Sequence, residues 1–94
     1  MSSFQFIGRF EIPVDSKVHG YKMAGPVLHV NCLAPDVIEF WALIDPTGAQ
    51  NSAHRFAVVG TGNPLPGDGY RYVGTGIAPV DGNSRAVWHL LEVT

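Results

Sequence analysis

Apolar and polar positions alternate along most of this chain, in short runs cut by proline and glycine. From Phe4 to Ile12, Phe4, Phe6, Phe10 and Ile12 stand against Gln5, Arg9 and Glu11. Gly8 falls where the phase slips, which predicts a bulge or bend, and Pro13 stops the run. In Pro26–Ala34, Leu28, Val30 and Cys32 share one face and His29 and Asn31 the other. Val37–Asp45 (VIEFWALID) is the most apolar stretch and reads as a strand buried on both faces. Only Ala34-Pro35-Asp36 separates these two runs, so they are expected to form an antiparallel hairpin. Further strands are predicted over His54–Thr61, Tyr70–Ile77 and Arg85–Val93, with Asp81-Gly82-Asn83 as a hairpin turn. Asp15–Gly25 is polar and weak in signal, and allows a turn or short helical turn around Asp15–His19.

Helix competes with strand for Val37–Ile44 and Arg85–Val93, because periodicity does not separate the two over such short apolar runs. Their length, β-branched content and turn-rich flanks favour strand. The expected fold is all-β and mainly antiparallel, about six strands in a meander, as a small sandwich or partly open barrel.

Length and composition narrow the picture. Ninety-four residues make one domain, 1–94. A chain of that size buries only roughly 60–65% of its unfolded surface. With a single cysteine, Cys32, it has no disulfide to help. It is 46% hydrophobic and 15% charged, so little charge is available to cover a monomer, and a homo-oligomer is expected. Six Lys/Arg against eight Asp/Glu, with no basic run, argue against binding a long nucleic acid. No apolar run approaches the roughly 20 residues of a membrane span. The start, MSSFQFIGRFEI, lacks the pattern of a signal peptide. The expectation is a cytoplasmic protein without a membrane partner.

Candidate chemistry centres on a repeat. VGTG occurs at Val59–Gly62 and again at Val73–Gly76. Gly60, Thr61, Gly62 and Asn63, at a predicted strand end, read either as an anion site or as a turn. As an anion site, backbone N–H groups converge and Thr61 and Asn63 add donors. The stretch lacks a third glycine, a Gly-Lys-Ser/Thr ending and a following helix, so it is neither a dinucleotide fingerprint nor a P-loop. Gly74–Gly76 lies within a strand and reads as structure: a bulge, or room for a neighbouring side chain.

Other groups assemble less. His19, His29, His54 and His89 have no zinc-like spacing, and no metal or cofactor is expected. Ser16, Ser52 and Ser84 lie in polar turns. Glu39 lies in the most apolar strand, as a carboxyl of raised pKa or as the partner of an arginine. If the last three strands are neighbours, Arg55, Arg71 or Arg85, a ring such as Tyr70 and the Gly60–Asn63 turn would line one cleft. Guanidinium on phosphate and ring on base would suit a nucleotide, and core aromatics with surface arginines would give the same sequence. The expected binding residues are Arg55, Gly60, Thr61, Gly62, Asn63, Tyr70 and Arg71.

WALIDP at Trp41–Pro46, GTGNP at Gly60–Pro64 and VWHLLE at Val87–Glu92 carry a family likeness. The chain resembles a family of small phage and prophage proteins long classed as a domain of unknown function, over Phe10–Glu92. The resemblance suggests a phage-type protein of the host cytoplasm. By association it suggests a sponge that sequesters a cyclic oligonucleotide or cyclic ADP-ribose-type immune signal. That role would imply that the Gly60–Asn63 turn and an arginine contact phosphate, with ligand held between subunits.

Three functional readings follow. The first is a non-enzymatic protein that binds a nucleotide-type small molecule and so blocks anti-phage defence. The second is an accessory protein that binds or inhibits a host protein and has no small-molecule ligand. The third, a small enzyme using Glu39 or a histidine, ranks last because no spacing joins a base to a nucleophile.

Overall fold

The computed structural model describes residues 4–65, 67, 69–78 and 86–94, and these form an all-β, antiparallel, sandwich-like fold. Among the described residues seven strands run β1 Phe6–Pro13, β2 His19–Met23, β3 Val27–Ala34, β4 Val37–Ile44, β5 Ser52–Gly60, β6 Tyr70–Ile77 and β7 Val87–Val93. A three-stranded sheet has the order β1-β4-β3 and a four-stranded sheet the order β2-β5-β7-β6. The order therefore departs from a simple meander, and the sheets do not close into a barrel. Arg85 and the Asp81–Asn83 turn lie outside the described residues.

The core forms where the even-numbered residues of β1 and β4 face the inner residues of the other sheet. Ile12, Ile38, Phe40, Ala42, Phe56 and Leu90 are fully buried. An aromatic cluster joins the layers: Phe10 stacks on Phe40 at 5.2 Å, Phe56 tilts against Phe40 at 5.2 Å, and Tyr21 meets Phe40 edge-on at 5.5 Å. Trp41 points the other way. It is half-buried on the outer face of the three-stranded sheet, its ring 5.6 Å from that of His29. The expectation that β4 is buried on both faces therefore holds only in part.

β2 is the strand that sequence alone does not give. His19, Tyr21 and Met23 face inward and Gly20 and Lys22 outward, a period of two in which the outward residues are ones depleted from strands. The preceding segment is a turn, with Ser16 at φ 63° and the His19 imidazole 2.9 Å from Asp15, and it has no helical turn. The β3–β4 hairpin forms as expected, with Ala34 opposite Val37. No bulge occurs at Gly8, where the β1–β4 register runs unbroken from Phe6 to Pro13. The glycine instead leaves room for Ile44, whose Cδ1 would lie 2.1 Å from an added Cβ.

Two features position the candidate site. First, β5 and β6 both pair antiparallel with β7 and so run parallel to each other. Their connection must carry the chain back along the length of the sheet. Asn63, Pro64 and Leu65 of that connection line one cleft with Ala57 and Val59 of β5. Second, a bulge between Tyr72 and Gly74 shifts the phase of β6. Tyr72 and Thr75, three residues apart, therefore share the outer face while Val73 packs against the core.

Candidate functional site

The outer face of the four-stranded sheet carries the unusual chemistry. β7 is its axis, and the two VGTG segments flank it. Thr61, just past β5, brings its Oγ1 to 2.9 Å from His89 Nε2, and Thr75 of β6 brings its Oγ1 to 3.0 Å from His89 Nδ1. The Tyr72 hydroxyl bonds Thr75 Oγ1 in turn. At the other end, Thr61 Oγ1 donates to the Val87 carbonyl at 3.4 Å. With its one hydroxyl proton given to Val87, Thr61 accepts from His89 Nε2–H, so Thr75 donates to His89 Nδ1 and Tyr72 donates to Thr75, which leaves the Tyr72 oxygen free to accept. Tyr72 is 58% exposed and Tyr70 39%, so two phenol rings stand on the same open face.

The predicted Gly60–Asn63 turn sits beside this row, between two clefts. One, of about 390 Å³, is lined by Ser16, Val18, Ala57, Val59, Asn63 and Leu65. The other, of about 460 Å³, is lined by Thr61, Asn63, Ala86, Val87 and Trp88. Both fall within the size range of small-molecule sites, roughly 300–1,000 Å³. Gly62 adopts φ 90°, a left-handed conformation that favours glycine. A Cβ on Gly60 would lie 2.8 Å from Trp88 Cζ3 and 2.9 Å from Asn63 Nδ2, so this glycine lets Asn63 fold over the indole. The buried indole N–H of Trp88 has no hydrogen-bond partner among the described residues.

The arginines lie elsewhere. β5, β7 and β6 are neighbours, as the one-cleft reading required. The register, however, puts Arg55 and Tyr70 opposite Val93, whereas Gly60 faces Trp88. Five residues of strand, about 17 Å, separate Arg55 from Gly60. Arg55 and Tyr70 share the outer face at that far end. Arg71 points to the inner face, where its Nη2 donates to Glu92 Oε1 at 2.6 Å. The seven expected binding residues thus fall into two groups in one protomer: Gly60, Thr61, Gly62 and Asn63 at the clefts, and Arg55, Tyr70 and Arg71 at the opposite end.

Several other ionisable groups are engaged structurally. Glu39, 7% exposed, accepts from Asn31 at 2.9 Å and from Arg9 Nε at 2.7 Å. These two donors hold its carboxyl below the usual range, which selects the arginine-partner reading over an acid or base. Burial alone would push the Glu92 carboxyl up, but Arg71 and His54 together hold it low. The backbone N–H groups of Thr47 and Gln50, with the Thr47 hydroxyl, lower the pKa of Asp45 and tie the 45–51 loop. Cys32 is buried, and that burial pushes its thiol up. Each histidine has a different neighbour, and no group of three His, Cys, Asp or Glu among the described residues could hold a metal ion.

Sequence reasoning missed the roles of Thr75, His89 and Tyr72. The signal was present in the repeat, whose two threonines stand on either side of His89. What hid it was the strand order, since β7 follows both copies in the chain yet lies between them in space.

The chain belongs to a family described as a domain of unknown function, DUF7352, whose model matches residues 5–94. Membership covers nearly the whole chain and so joins both sheets in one family domain. No curated protein and no solved structure matches the chain at a significant level. Among the described residues, no helix is long and apolar enough to cross a membrane.

Proposed function

We propose that the protein is a non-enzymatic binding protein, of phage type, that captures a nucleotide-type signal of bacterial immunity and releases it unchanged. One observation carries this reading: on the glycine turn, Asn63 lines both clefts and Thr61 one of them, beside the Tyr72–Thr75–His89–Thr61 row. The Thr61 and Asn63 N–H groups are engaged by the Val87 and Gly60 carbonyls, so the Gly62 N–H and the Asn63 side-chain amide are the donors the turn offers a phosphate, and the clefts offer apolar walls for a base or ribose. Arg55, which has no carboxylate partner among the described residues, supplies positive charge when a second protomer brings it to the turn. The ligand is therefore held between subunits.

The test is calorimetric titration with a panel of cyclic dinucleotides, cyclic trinucleotides and cyclic ADP-ribose-type molecules, followed by denaturation and chromatography of the released ligand. The expected result is binding by one class, recovery of the ligand intact, and at least tenfold weaker binding for Asn63→Ala in a folded protein. No binding by any of them at about 100 µM overturns the reading in favour of a protein partner. Recovery of a hydrolysed ligand overturns it in favour of an enzyme.

A further inference from the structure

β1 is an edge strand of the three-stranded sheet, and backbone geometry shows which of its groups face outward. The Val14 N–H donates to the Asp36 carbonyl at 2.9 Å, continuing the β1–β4 register in which each pair sums to fifty. In an antiparallel ladder, the residues that exchange bonds with a given neighbour alternate. The even-numbered residues of β1 therefore bond β4, and Ile7, Arg9, Glu11 and Pro13 point their backbone groups to the free edge. An independent contact agrees: the Tyr21 hydroxyl, arriving from the other sheet, donates to the Glu11 carbonyl at 2.7 Å. No other strand covers this edge among the described residues.

Charge selects the occupant. Glu11 and Glu39 stand directly opposite each other across β1 and β4, a like-charge pair that is unfavourable in a sheet. A single arginine serves both, with Arg9 2.8 Å from Glu11 and 2.7 Å from Glu39. A second copy leaves the ratio at one arginine to two glutamates, but Arg9 and Glu11 lie two residues apart on the same face, so two antiparallel copies of β1 can set each Arg9 against the partner's Glu11.

We infer that β1 pairs antiparallel with β1 of a second copy, with Phe10 on the twofold axis, so that each Arg9 faces the partner's Glu11. The two three-stranded sheets then form one continuous sheet of six strands. Outward residues meet only outward residues in this register. Arg9 and the partner's Glu11 exchange both backbone bonds, and the Ile7 N–H reaches the partner's Pro13 carbonyl. Pro13, with no N–H, lies at the end of the paired stretch, where edge prolines are tolerated. On the inner face, Ile12 is opposite the partner's Gly8, and the Glu11 carbonyl, with two lone pairs, accepts from both Tyr21 and the partner's Arg9 N–H. Centring the pair one residue earlier would place Arg9 against Arg9. Centring it two residues earlier would place Arg9 against Ile7 and gain no ion pair. The low charge content of the chain fits a molecule that covers part of its surface in this way.

Sedimentation equilibrium on the full chain tests the pairing, with circular dichroism to confirm folding. Wild type is expected to be a dimer at about 100 µM. Glu11→Arg is expected to weaken dimerisation at least tenfold, by setting arginine against Arg9. Glu11→Pro removes only an edge-facing N–H and is expected to dissociate the dimer while β1 stays paired with β4. The swap Arg9→Glu with Glu11→Arg restores the dimer. Opposite charges again meet across the axis, and the arginine now at position 11 stands opposite Glu39. A monomeric wild type overturns the inference. So does a dimer that Glu11→Arg and Glu11→Pro leave intact, or a folded swap variant that stays monomeric.

Discussion

The two VGTG segments have one sequence and two different constraints. Both flank β7, and Gly60 and Gly76 face the same residue, Trp88, from opposite sides. In the second copy, β6 lies against β3. A Cβ on Gly74 would meet Val30 Cγ2 at 2.7 Å, and one on Gly76 would meet the Cys32 backbone nitrogen at 3.0 Å. Glycine is there so that two backbones can approach where the sheets meet. In the first copy the neighbours are side chains, Trp88 and Asn63, and Gly62 has open space around it but a positive φ. There glycine shapes a turn. Only the threonines play parallel parts, one on each nitrogen of His89. A repeated peptide can thus be one half scaffold and one half site, and its environment decides which.

Substituting alanine at corresponding positions separates the two. The largest effect is expected for Gly76→Ala. The obstructing atoms include the Cys32 nitrogen and, at 3.1 Å, the Asn31 carbonyl carbon, and backbone yields less readily than a side-chain tip. The sheets must part, at a cost of about 2–3 kcal/mol. For a domain of this size the midpoint of thermal unfolding then falls by roughly 10 °C or more. A Gly76→Ala protein that melts with wild type would show that the β3–β6 contact is loose.

Most of the fold was legible, because strands show locally. The alternation in Phe4–Ile12, the Pro35-Asp36 turn and the apolar run at Val37 each reported their element without help from distant residues. β2 was not legible. Gly20 and Lys22 are poor strand formers, and only pairing with β5 makes His19–Met23 a strand. Gly8 misled for a related reason. Its missing side chain answers to Ile44, far along the chain, and leaves no local mark. The candidate site was half legible. The Gly60–Asn63 turn is where expected, but register, a long-range property, sent Arg55, Tyr70 and Arg71 to the far end of the sheet. His89 was invisible as a hub until the order β5-β7-β6 was known.

Gly60→Ala is expected to cost less than Gly76→Ala, about 1–2 kcal/mol, because Trp88 and Asn63 can shift to admit a methyl group. Gly62→Ala meets no atom within 4 Å and is expected to cost about 1 kcal/mol through its positive φ alone. The sharper difference is functional. Displacing Asn63 should cost Gly60→Ala its ligand affinity while the protein remains folded. Gly76→Ala should lose binding only as far as it unfolds. Chemical denaturation and titration of the same samples give both quantities. If Gly60→Ala proves as damaging to stability as Gly76→Ala, the division into scaffold and site fails.

The smallest effects belong to the threonines. Thr75→Val removes a half-buried hydroxyl from His89 and Tyr72 and is expected to cost about 1 kcal/mol. Thr61→Val removes an exposed one, where water substitutes, and is expected to cost about 0.5 kcal/mol. Valine keeps the β-branched shape, so strand packing is little changed. The informative quantity is the double variant. Both hydroxyls act through one imidazole, and losing either leaves His89 free to reorient, so the second loss should cost less than it does alone. A coupling of about 0.5 kcal/mol between residues on strands that do not touch would mark His89 as the bridge. Strict additivity would mean that the two threonines act separately, and the row along β7 would then be two contacts and no relay.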